Sequence, residues 1–73
     1  MVNPLVQLVE KYGGKITATY YEGDVDAIIN HYPVKLFETS FGYVMEVPAL
    51  DRSHAFNTFE ELEEAVYTLT KLS

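Results

Sequence analysis

The chain has no cysteine and no tryptophan, and its cationic side chains number 5 against 11 carboxylates. Without thiols, neither a disulfide framework nor a thiolate zinc site can brace it, so ordinary core packing must carry the fold. The same lack suits a cytoplasmic location, which is the expectation here. No apolar run approaches the roughly 18 to 20 residues that span a bilayer, and the start of the chain lacks the basic and apolar stretches of a signal peptide. A membrane partner is therefore not expected. The shortage of positive charge leaves a net charge of −6 and a pI near 4.6. Phosphate backbones reward the opposite balance, so direct nucleic-acid binding is not expected either.

What is present is a folded composition: 48 % hydrophobic, 22 % charged and 14 % aromatic over 73 residues. That is too apolar for a disordered chain of modest net charge. It reads as a single domain over residues 1–73, near the size at which one core only just outweighs conformational entropy. A second copy or a larger complex would add to its stability.

Asn3-Pro4 is a helix start, with Asn as N-cap and Pro at the first helical position, and Gly13-Gly14 is a stop. Between them Leu5, Leu8, Val9 and Tyr12 form one apolar stripe. Lys15 to Tyr21 alternates with period two, Ile16, Ala18 and Tyr20 against Thr17, Thr19 and Tyr21, and is expected to be a strand. After the Glu22-Gly23-Asp24 turn, Val25, Ile28, Ile29 and Tyr32 match a helical template with Asp24 as N-cap, so a short helix is expected, ended by Pro33. Val34 to Glu38 and Tyr43 to Val47 read as a hairpin joined by Thr39-Ser40-Phe41-Gly42, and Pro48 closes its second strand. A further short strand is expected around Ser53 to Phe56. Thr58 and Glu61 fit a capping box opening a helix to about Leu72, with Leu62, Ala65, Val66, Leu69 and Leu72 on one side. Glu60, Glu61, Glu63 and Glu64 gather on the other, with Tyr67 and Lys71.

Chemistry-bearing clusters are few. Asp51, Ser53 and His54 are the residue types of a hydrolase triad, but positions this close in the chain cannot aim at one reacting centre. His31 and His54 have no metal-ligand spacing, and Glu22, Asp24 and Asp26 fail the EF-hand pattern because Ile28 and Ile29 stand where ligands and the loop glycine should follow. The glycines form no phosphate-binding fingerprint. No catalytic, metal or cofactor residues are assigned. Tyr67 among the glutamates, and Phe41 at the hairpin tip, are the aromatic residues best placed for a partner.

From Tyr32 to Leu72 the chain resembles the N-terminal domain of HicB-type antitoxins. The likeness rests on Tyr32-Pro33-Val34, on Gly42-Tyr43-Val44-Met45-Glu46-Val47-Pro48-Ala49-Leu50, and on Thr58-Phe59-Glu60-Glu61. It implies a small antiparallel sheet packed on a helix, which in those antitoxins covers a toxin ribonuclease. Asp51 to Phe56 stands where that pattern has a Gly-Cys turn, and no DNA-binding unit follows in the given sequence.

The expected fold is α+β, an antiparallel sheet of three or four strands with the first and last helices packed on it. The expected function is that of a small acidic non-catalytic protein. It would inhibit a basic, nucleic-acid-handling protein in the manner of an antitoxin or a phage-type inhibitor. The partner-binding candidates are Glu22, Asp24, Asp26, Phe41, Glu60, Glu61, Glu63, Glu64 and Tyr67. If both acidic tracts shared one surface, their carboxylates could imitate nucleic-acid phosphates. The alternative is a structural or homo-oligomerisation domain, with a homodimer as its simplest form.

Overall fold

The computed structural model of the protein describes residues 3–72. In chain order its elements are α1 (Pro4–Lys11), β1 (Lys15–Thr19), β2 (Val25–Ile29), β3 (Tyr32–Thr39), β4 (Gly42–Val47), a single 3₁₀ turn (Pro48–Leu50), β5 (Arg52–Phe56) and α2 (Phe59–Thr70). All strand neighbours are antiparallel and follow one another in chain order, β1-β2-β3-β4-β5. Both helices lie on one face. The fold is α+β with terminal helices, and its sheet has five strands where three or four were expected.

Both helix starts follow the capping signals. The Asn3 carboxamide oxygen accepts from the Leu5 N–H at 2.9 Å, while its nitrogen donates to the Gly23 carbonyl at 3.1 Å and ties α1 to the β1–β2 turn. In α2 the Thr58 hydroxyl accepts from the Glu61 N–H at 3.2 Å and the Glu61 carboxylate accepts from the Thr58 N–H at 3.1 Å, a complete capping box. The core is one cluster. From the sheet come Val25, Ala27, Ile29, Val34, Leu36, Met45 and Val47, and from the helices Leu5, Leu8, Val9, Leu62, Val66 and Leu69.

Residues 24–32 form β2 and the tight turn into β3, not the expected helix. Val25, Ala27 and Ile29 face the core with strand period, while Asp26 and Ile28 occupy the other face. The helical template matched because Ile28 is also apolar, although it sits on the uncovered face. The signal for a strand was Asn30-His31: both residues have positive φ, at 52° and 70°, as a two-residue hairpin turn of the primed type requires. Asn30 accepts that conformation more readily than most residues and uses its side chain as well. Its carboxamide donates to the Leu69 carbonyl at 3.0 Å and to the Leu72 carbonyl, so the turn caps the C-terminal end of α2.

Pro33 does not precede β3 but lies within it, paired with Ile28. The β3–β4 ladder begins only at Lys35–Glu46, and Pro48 ends β4, so Pro33 lies beyond the end of β4 and no β3–β4 ladder bond needs its missing N–H. β1 carries a register shift between Ile16 and Ala18 and is shorter than expected, ending at Thr19, because the Tyr20 N–H donates to the Asp24 carbonyl and the Gly23 N–H to the Tyr20 carbonyl, both at 2.9 Å, which closes the turn. Tyr20 and Tyr21 therefore belong to the turn.

The face away from the helices is bare. Register places Asp26, Lys35, Glu46 and Ser53 in one row across it, and Phe37, Val44 and Ala55 in another.

Two substitutions test these constraints. At Gly42, φ is +146° and an added Cβ would lie 2.0 Å from the Phe56 carbonyl oxygen, so Gly42→Ala is expected to destabilise by more than about 1 kcal/mol. In a domain of this size that lowers the unfolding temperature by about 4–8 °C per kcal/mol in a calorimetric scan. Asn30→Gly keeps the turn and loses the cap, whereas Asn30→Ala loses both; urea unfolding should rank Ala as the more damaging change.

Candidate functional site

Because the strands alternate in direction, the β1–β2 and β3–β4 turns project from the same end of the sheet. The start of α2 reaches that end directly from β5, and the Asn3–Gly23 hydrogen bond brings the start of α1 there too. Two aromatic side chains stand almost entirely in solvent at this end, Tyr21 at 106 % exposure and Phe41 at 89 %. Glu22 is exposed beside Tyr21, and Asp24 is half-buried, its carbonyl accepting from the Tyr20 N–H at 2.9 Å. Glu60 is exposed at the first turn of α2, next to the capping Glu61. The turn end thus gathers Tyr21, Glu22, Asp24, Phe41 and Glu60. Exposed aromatic area rimmed by carboxylates can meet an apolar spot rimmed by cations.

The remaining candidates lie elsewhere. Asp26 is on the bare face of the sheet, opposite Lys35 in register, and accepts from the Tyr20 hydroxyl at 2.7 Å, a bond that raises the Tyr20 phenol above its ordinary value. Glu63 turns towards α1. Its Oε2 accepts from Lys11 Nζ at 2.6 Å and from the Tyr12 hydroxyl at 2.8 Å. Tyr67 packs edge-on against Tyr12 with ring centres 5.9 Å apart, and Lys71 Nζ sits 5.1 Å from its ring centre. Glu63 and Tyr67 are therefore occupied in holding the two helices together. Glu64 is exposed and lines a second feature, a cleft of about 410 Å³ between β5 and α2. Its apolar lining includes Met45, Val47, Leu50 and Leu69, and its charged and titratable lining is Arg52, His54, Glu61 and Glu64.

The four glutamates of α2 thus serve three directions: Glu63 to α1, Glu61 and Glu64 to the β5 side, Glu60 to the turn end. Glu22, Asp24 and Glu60 meet at the turn end, but Asp26 is on the bare face of the sheet and Glu63 is turned to α1, so neither acidic tract lies whole on one surface. Ser53 and His54 also point to opposite faces, paired with Glu46 and Met45 respectively. Among the described residues no group of His, Asp and Glu lies close enough to hold a metal ion, and no helix is long and apolar enough to cross a membrane.

Sequence reasoning missed Tyr21, which the unbroken alternation placed on a strand, and it missed the cleft. The only signal for Tyr21 was its position beside Glu22-Gly23-Asp24. No protein-family model, curated protein or solved structure matches the chain.

The helix–helix contact has a pH signature. The Lys11 ammonium, and after it the Tyr12 hydroxyl, hold the Glu63 carboxyl below its ordinary value of 4.5. A carboxyl lowered on folding stabilises the fold fully above 4.5 and loses that contribution as pH falls through its folded value. Hydrogen bonding to Glu63 raises Lys11 above 10.5, so its share is kept until pH climbs through that raised value. Glu63→Gln is therefore expected to lower the unfolding temperature at neutral pH, with the difference from wild type closing below 4.5. Thermal unfolding followed by circular dichroism across pH checks this, and a gap that persists in strong acid would contradict the assignment.

Proposed function

We propose that the chain is a small, cytoplasmic, non-catalytic binding protein that inhibits a basic, nucleic-acid-handling protein, as an antitoxin or a phage-type inhibitor does. The observation that carries this reading is the turn end, where Tyr21, Phe41, Glu22 and Glu60 are all exposed. Tyr21 and Phe41 bury almost no area within the fold, so they add little to its stability, and aromatics are among the side chains that supply most binding energy at interfaces. The net charge of −6 would hasten encounter with a cationic partner and make the association rate salt-dependent. The likeness of residues 32–72 to HicB-type antitoxins supports the same partner class. The phosphate-imitating form of the idea is not carried forward, because Asp26 stands on the other face of the sheet from the α2 glutamates.

The test uses a variant in which Tyr21 and Phe41 become Ser and Glu22 and Glu60 become Gln. None of these side chains packs in the core, so its thermal unfolding should match that of the wild type. The wild type should retain basic proteins from a lysate at low salt, release them at high salt, and compete with nucleic acid for the retained protein. The variant should do neither. Equal capture and competition by both proteins would remove the turn end as the binding surface.

A further inference from the structure

β5 is an edge strand whose only guards against pairing are its five-residue length and the cation Arg52 at its start. β1, at the other edge, is interrupted by its register shift and begins with Lys15. β5 pairs with β4 without a shift from Val47–Arg52 to Tyr43–Phe56, contains no proline, and presents only Ser53 and Ala55 on the bare face. Alternate backbone N–H and C=O groups along it therefore point outward, ready for another strand. The cleft between β5 and α2 runs beside this edge, and Leu72 at its lower end is 38 % exposed.

The charges lining the cleft decide what can pair there. Arg52 lies at one end of β5 and has no carboxylate within ion-pair distance among the described residues, where Lys11–Glu63 is the single salt bridge. Glu61 and Glu64 line the α2 wall, towards the other end of β5, where Phe56 is. A strand bringing a cation to the Phe56 end would pair with Glu64 and with the Glu61 oxygen that the capping box leaves free. β5 itself is such a strand when it runs antiparallel to its own copy. Overlapping all five residues about His54 sets Arg52 of each copy opposite Phe56 of the other, and His54 opposite His54.

A two-fold axis normal to the sheet also keeps the helices of both copies on one face. Arg52 points to the helix face, as its partner in register, the buried Val47, does. Across the seam each Arg52 would then enter the neighbour's cleft on the side of Glu61 and Glu64. Strand pairing alone falls short of the roughly 800 Å² per partner that a stable interface buries, and closure of two apolar clefts over one seam supplies further area.

We propose that the chain forms a two-fold dimer through β5, giving one continuous antiparallel sheet with Arg52 of each copy paired to Glu64 and Glu61 of the other. The surface is distinct from the turn end, and the dimer does not depend on the function proposed above.

Sedimentation velocity on the whole chain tests it, with the monomer mass at 8.3 kDa. The wild type should sediment at twice that mass; a monomer up to about 1 mM overturns the proposal. Arg52→Glu should weaken the dimer by about tenfold or more while leaving the far-ultraviolet circular dichroism unchanged. Arg52→Glu with Glu64→Arg should recover most of that loss, and failure to recover it would remove the charge pairing. The chain has no cysteine, so His54→Cys introduces a single thiol. Opposed antiparallel residues lie about 4.5–5.5 Å apart at Cα, within disulfide reach, so mild oxidation should crosslink the copies quantitatively. A dimer by sedimentation that does not crosslink at residue 54 places the interface elsewhere and overturns the β5 assignment.

Discussion

One-sided burial is the constraint from which the rest of this structure follows. A short chain without thiols can build only one core, and here the helix-facing side of the sheet takes all of it. Every strand therefore has an inner face chosen by packing and an outer face left to other uses. Two helices cannot cover five strands completely. They leave the inner face of β5 with Arg52 and His54 in solvent, and that shortfall opens the cleft.

The same constraint explains which parts of the fold were legible in the sequence. α1, α2 and the β3–β4 hairpin announce themselves through local chemistry: Asn3-Pro4, the Thr58–Glu61 capping box, and strand alternation closed by Pro48. β2 was not legible because its outer face is not uniformly polar. Ile28 beside Ile29 satisfies a helical period as well as a half-buried strand does, and only the conformational demand of Asn30-His31 separates the two. The site was read in part. Phe41 follows from being in a hairpin turn, whereas Tyr21 required knowing that the turn closed by the Tyr20–Asp24 hydrogen bond begins right after Thr19. Glu63 could not be read correctly at all, since its partners Lys11 and Tyr12 lie 52 and 51 residues away.

Carboxylates that look like one cluster in the sequence are divided by the fold among separate tasks. Glu61 closes a helix start, Glu63 joins the helices, Asp26 holds a tyrosine hydroxyl, and Glu22 and Glu60 stand free at the turn end. A run of acids on a helix is a weak guide to a binding surface because a helix distributes adjacent residues over its whole circumference. The exposed aromatics locate the surface better, since nothing in the fold requires them there.

The strand order has a kinetic consequence. Each strand pairs only with its chain neighbours, so the sheet can assemble by successive local closures, each with a small loop entropy. The contacts that join distant parts of the chain are those of α2, including Glu63 with Lys11 and the Leu69 carbonyl with Asn30. Docking of α2 is thus expected to come late in folding, since its contacts close the longest loops. Until it occurs, the part of the apolar face that α1 leaves uncovered is open to water, and the docking of α2 sets how long a newly made chain is exposed to proteases and to sticking to its neighbours.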